Sequence, residues 1–131
     1  MSTTVELAQG LGKSLLTWSI SSIIVGSLLY FFGFPLLQGI GLMAILWGFI
    51  DLIIAGYTLK KQKDSPAADL AKVLLINVGL DIIYQAIGLL LILFGWQDEF
   101  MIGNGIGIII QGAFLFVLDL FYYRKMKALI P

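Results

Sequence analysis

Four apolar runs of about twenty residues each take up most of this 131-residue chain. They read as Leu15–Phe32, Leu36–Leu59, Ala71–Phe94 and Met101–Tyr123. At about 1.5 Å of rise per residue, each is long enough to cross a hydrocarbon layer of about 30 Å as a helix. Lipid offers no partner for an exposed N–H or C=O, so an apolar run of this length satisfies its own backbone by coiling. The fold class that follows is all-α: an integral membrane four-helix bundle, read as one transmembrane domain over residues 1–131. Composition agrees, since 60% of residues are apolar and 12% charged, whereas soluble domains are nearer half apolar and a quarter charged.

Charge placement orients the spans. The eight Lys and Arg residues are Lys13, Lys60, Lys61, Lys63, Lys72, Arg124, Lys125 and Lys127. All flank the same ends of the four runs. The two connections on the other side, Gly33–Gln38 and Gly95–Phe100, hold no basic residue, and the second carries Asp98 and Glu99. The positive-inside rule then predicts a multi-pass protein of the cell (inner or plasma) membrane with both termini cytoplasmic. Met1–Gly12 lacks the basic start of a secretory signal, so the first span is expected to be a retained anchor. Thr3 and Glu6 have capping-box spacing, but Gly10 and Gly12 weaken a helix there, and a frayed or surface-lying lead-in is expected as readily. The cytoplasmic connection, residues 60–70, contains Pro66, which predicts the first turn of the third helix with Ser65 as its N-cap.

Two residue types are missing altogether, Cys and His. Their absence removes disulfides, thiol chemistry, iron–sulfur clusters and the usual ligands of haem and zinc. No cofactor and no metal site are expected. Nucleophile–histidine catalysis is excluded, and no Walker loop or zinc-protease motif is present. Val78-Gly79-Leu80-Asp81 lacks the Gly-x-Gly-Asp signature of intramembrane aspartyl proteases. The reading is therefore not an enzyme. Small multidrug exporters rely on an acidic residue in the first helix, and this first helix has none. The strict charge bias also argues against the dual insertion of small fluoride channels.

A tandem repeat is visible. Gly26-Ser-Leu-Leu-Tyr-Phe-Phe-Gly33 matches Gly88-Leu-Leu-Leu-Ile-Leu-Phe-Gly95. After a four-residue insertion, Gly39-Ile40-Gly41 matches Gly105-Ile106-Gly107. Each unit would be one transmembrane hairpin, so a pseudo-twofold axis would run along the membrane normal. Gly39, Gly41 and Gly48 in the second span, and Gly103, Gly105, Gly107 and Gly112 in the fourth, are expected where helices two and four pack. Between helices in lipid, close approach through small residues carries much of the association. The competing reading of these glycines is a hinged or broken helix in a transporter.

The sharpest chemical signal is Asn77, Asp81 and Gln85, four residues apart and so on one helical stripe. Asp81 falls near the centre of its span, where a carboxylate costs about 2.5–3.5 kcal/mol on insertion scales. Asp51 is also well inside. Asp119, five residues before Arg124, is expected to reach the interface. With Ser22 from the first span, a candidate intramembrane polar cluster is Asn77, Asp81, Gln85, Asp51 and Ser22. Either these groups glue helices or subunits together, or Asp81 and Asp51 form a proton or cation site. Aromatics at both ends, among them Trp96, Phe34, Tyr122 and Tyr123, fit interfacial belts, and Trp18 and Trp47 are expected deeper.

Trp47-Gly48-Phe49-Ile50-Asp51-Leu52, and Gly103-Asn104-Gly105-Ile106-Gly107 leading to Gln111-Gly112 and Asp119, carry one resemblance. With these motifs the chain resembles an uncharacterised family of small prokaryotic four-span membrane proteins. The resemblance covers most of the chain and implies a class without an activity. The first functional expectation is a small assembly or accessory membrane protein, binding itself as a homo-oligomer or another membrane protein. The alternative is a small proton- or cation-coupled transporter or channel using Asp81 and Asp51. The expected partners include the lipid bilayer, with anionic lipid at the basic cytoplasmic face, and no nucleic acid.

Overall fold

A computed structural model describes residues 4–61 and 66–130, with the backbone alone at residue 61. It holds four helices, α1 (Thr4–Phe32), α2 (Pro35–Lys61), α3 (Ala67–Phe94) and α4 (Glu99–Lys127), and no strand among the described residues. All four are long and apolar enough to cross a membrane. They alternate in direction, so the starts of α1 and α3 and the ends of α2 and α4 share one end of the bundle. The basic residues with described side chains, Lys13, Lys60, Lys72, Arg124, Lys125 and Lys127, lie toward that end. Large apolar side chains such as Ile24, Phe31, Ile53, Ile76, Leu93 and Val117 face outward, as expected of a bundle whose solvent is lipid rather than water.

Each helix runs past its apolar core. α1 is continuous over 29 residues, so the segment read as a frayed lead-in is its first turns. Gly10 and Gly12 belong there because space is short. A β-carbon at Gly10 would meet the Tyr122 hydroxyl at 2.8 Å, and one at Gly12 would meet Leu59 at 2.9 Å. The expected capping role of Thr3 and that of Ser65 lie outside the described residues. Pro66 stands one residue ahead of α3, as its cap residue and not within its first turn, and makes no side-chain cap bond. Pro35 occupies the first position of α2, where a missing N–H costs nothing. Asp98 caps α4, its carboxylate accepting from the backbone N–H groups of Phe100 at 3.0 Å and Met101 at 3.3 Å. The one charge of the 95–98 connection thus has a local structural use.

α1 packs along α2 and α3 along α4, while α2 against α4 joins the two hairpins; α1 touches α4 only lightly. The glycines explain how this is reached. Gly39 and Gly103 meet at the α2–α4 crossing, where a β-carbon on Gly39 would strike the carbonyl of Phe100 and one on Gly103 the carbonyl of Leu36. Gly107 also faces α2, against Met43. The other four do not sit between helices two and four as expected. Gly41 and Gly48 face α1, at Gly26 and Ile23, whereas Gly105 and Gly112 face α3, at Gly88 and Gln85. Successive positions turn by about 100°, so glycines two apart serve two different neighbours. The Gly26–Gly41 contact has its like in Gly88–Gly105, so Gly41 corresponds in place to Gly105 and not to Gly107.

Candidate functional site

Two clefts flank the central α2–α4 pair, and their chemistry differs. The first lies between α2 and α3, with a volume of about 140 Å³, and Asp51, Asn77, Asp81 and Asp119 all line it. Trp47 and Tyr84 close it on one side, their rings 4.6 Å apart in an edge-on contact that spans the two helices. Below it, towards the basic end, Leu7, Ala71, Leu74 and Met126 form a buried apolar plug, with Leu11 packed against it. The carboxyl groups are withdrawn from the surroundings: Asp51 and Asp81 are each 2% exposed and Asp119 8%.

Within this cleft the carboxyl groups of Asp81 and Asp119 lie side by side, and Asp51 is close enough to feel the charge of both. Two ionised carboxylates are acceptors only, so a bond between two such groups requires a proton on one of them. Like charges about 4 Å apart repel by about 4 kcal/mol even at an effective dielectric of 20. A proton held between them removes that repulsion. The second oxygens of Asp51 and Asp81 are buried without a hydrogen-bond partner among the described residues. No Lys or Arg lines the cleft among the described residues. Nor do three acidic side chains among the described residues close on one point as metal ligands would.

The second cleft lies between α1 and α4, with a volume of about 280 Å³. Its polar centre is Gln111, which accepts from the Trp18 indole N–H at 2.8 Å and donates to the Ser22 hydroxyl at 3.3 Å. The Trp18 ring stacks on Phe114 with centroids 3.9 Å apart and planes 7° from parallel.

The structure therefore divides the polar residues singled out in the sequence. Asp51, Asn77 and Asp81 converge on the first cleft. Ser22 lies at the second. Gln85 turns to α4, donating to the Ile109 carbonyl at 3.0 Å. Asp119 turns inward to Asp81 and does not reach for the basic end of its helix, and Gln111 was not expected at all. Both were detectable. Gln111, Leu115 and Asp119 are spaced by four, the same one-face signal that singled out Asn77, Asp81 and Gln85.

An all-helical bundle of four span-length helices with acidic groups buried at its centre defines a four-span membrane-type protein. Residues 14–120 match the family of unknown function DUF6992, and the chain belongs to that family. No curated protein and no solved structure matches it.

Proposed function

We propose that this protein is a small proton-coupled membrane transport protein, with Asp81 and Asp119 sharing the coupling proton and Asp51 as the neighbouring acceptor. The observation that carries this is the convergence of three buried carboxyl groups, Asp51, Asp81 and Asp119, on one cleft that no basic side chain lines among the described residues. Interhelical glue would be served as well by amides, which hold helices without the cost of a buried ionisable group. A proton site needs groups that can lose the proton. Tyr84 and Asn77, on the same cleft wall, offer hydrogen-bonding partners along its length. No covalent chemistry is required of the protein.

The test is reconstitution into liposomes with an internal pH-sensitive dye and a clamped membrane potential. Wild-type protein should dissipate an imposed pH gradient. Asp81→Asn and Asp119→Asn should each lower the rate at least tenfold while eluting as the same folded species. Wild-type flux no greater than that of empty liposomes, or flux unchanged in both variants, overturns the proposal.

The same reading includes three supporting elements. The protein lies in the cell membrane with both termini cytoplasmic, supported by the segregation of basic residues. The two hairpins are copies of one unit, supported by the matched contacts Gly26–Gly41 and Gly88–Gly105, with Gly39 and Gly103 on the axis between them. The protein assembles as a homo-oligomer or with another membrane protein, supported by Gly56 and Gly79, which have nothing within 4 Å of a would-be β-carbon. These are the places where another helix can come close. Native mass spectrometry from gently extracted membranes separates a homo-oligomer from a mixed complex, and a lone monomer rejects both.

A further inference from the structure

The cleft between α1 and α4 has donors left over. An indole N–H can only donate, so the Trp18 bond fixes which end of the Gln111 amide is oxygen. Its NH₂ group therefore faces Ser22, whose hydroxyl oxygen accepts one of the two hydrogens. The hydroxyl hydrogen of Ser22 has no acceptor among the described residues, unlike Ser19 and Ser27, which donate to the carbonyls of Leu15 and Ile23. The second amide hydrogen of Gln111 is likewise unused among the described residues. Both side chains are deeply buried, Gln111 at 3% and Ser22 at 6% exposure. A buried donor without an acceptor is unfavourable, so a ligand that supplies one is favoured.

These donors open onto a space of about 280 Å³ whose other walls, among them Val25, Leu29, Ile40 and Ala44, are apolar, with no charged residue lining it among the described residues. A dry apolar cavity of about 150 Å³ holds one benzene ring, so this one has room for about two. Water would find too few polar partners there, since a buried water wants 2–4. A lipid acyl chain would fill the volume and leave both donors unmet.

We propose that the cleft between α1 and α4 is a binding site for a neutral, apolar molecule of about two rings that presents one hydrogen-bond acceptor, such as a carbonyl oxygen, to Ser22 and Gln111. Trp18, held flat against Phe114, forms a rigid aromatic wall beside that acceptor. The site shares no residue with the carboxyl cleft. It binds whether or not Asp81 carries a proton.

Benzophenone is the probe, because it has two rings and one carbonyl and forms photo-crosslinks that report where it sits. The protein in lipid nanodiscs is irradiated with it, and labelled peptides are located by mass spectrometry. Diphenylmethane, the same shape without the acceptor, serves as competitor. The expected result is saturable labelling on α1 and α4 by ring-deuterated benzophenone, with diphenylmethane competing at least tenfold more weakly than plain benzophenone. Ser22→Ala and Gln111→Leu should erase that preference. Ser21 is exposed at the rim, so Ser21→Trp plugs the cleft without entering the helix packing and should abolish saturable labelling. Asp81→Asn should keep it, so a failure here is distinct from a failure of the proton reading. Labelling spread evenly over the outward faces, or equal competition by diphenylmethane, would overturn the proposal and make the cleft a lipid-filled crevice.

Discussion

Gly39 on α2 and Gly103 on α4 face each other so closely that a β-carbon on either would overlap the backbone of the other helix. This contact lies in the α2–α4 seam that joins the two hairpins, and the same two helices contribute to the walls of both clefts. Gly39→Val or Gly103→Val is expected to force the helices apart at a cost of at least the 1–3 kcal/mol typical of overpacking. Gly79→Ala, with nothing near it within the chain, should leave the single chain unchanged or stabilise it by up to about 1 kcal/mol through helix propensity, any loss being confined to the assembly. Thermal aggregation in detergent, read by size-exclusion recovery, ranks the three.

Asp119 is expected to separate shape from chemistry. Asp119→Asn keeps a donor for Asp81, so the protein should fold and assemble as wild type. Asp119→Leu leaves Asp81 buried without its partner and should lose about 1–3 kcal/mol of stability. Unfolding titrations of both variants against wild type measure the difference, independently of any flux.

The Asp98 cap is exposed and can be removed without touching the bundle interior. Asp98→Ala deletes both acceptor contacts to Phe100 and Met101 and should cost about 0.5–2 kcal/mol. Faster hydrogen exchange at the first turn of α4, with α1 unchanged, is the expected signature.

A chain without cysteine is a clean background for single-site labelling. Gln97 and Lys125 are both exposed and lie at opposite ends of the bundle. Gln97→Cys should react with a membrane-impermeant maleimide in intact cells, and Lys125→Cys only after the membrane is opened. The reverse pattern would place the termini outside.

The helices were legible from composition alone, because a run such as Ala71–Phe94 has no other way to satisfy its backbone in lipid. Their rotation was not. Asp81 could be read as buried from its depth, yet its partner depended on which face of α4 turns inward, and apolar residues surround that helix on all sides. In a soluble bundle the apolar stripe would have marked the inward face. Here the informative pattern is inverted, with small and polar residues, Gly107, Gln111 and Asp119, marking the inside. Gly41, Gly48, Gly105 and Gly112 face other helices than expected for a related reason: spacing gives a face, but not the neighbour that occupies it.

The plug formed by Leu7, Ala71, Leu74 and Met126 has a consequence for how the protein is made. Leu7 emerges from the ribosome long before Met126, and chains are synthesised at only about 5–20 residues per second. The first turns of α1 therefore wait several seconds for the partners that bury them. Until the final turn of α4 arrives, the bundle stands open at that end. The first turns of α1 and the last turn of α4 thus close that end of the carboxyl cleft jointly, and neither does so without the other.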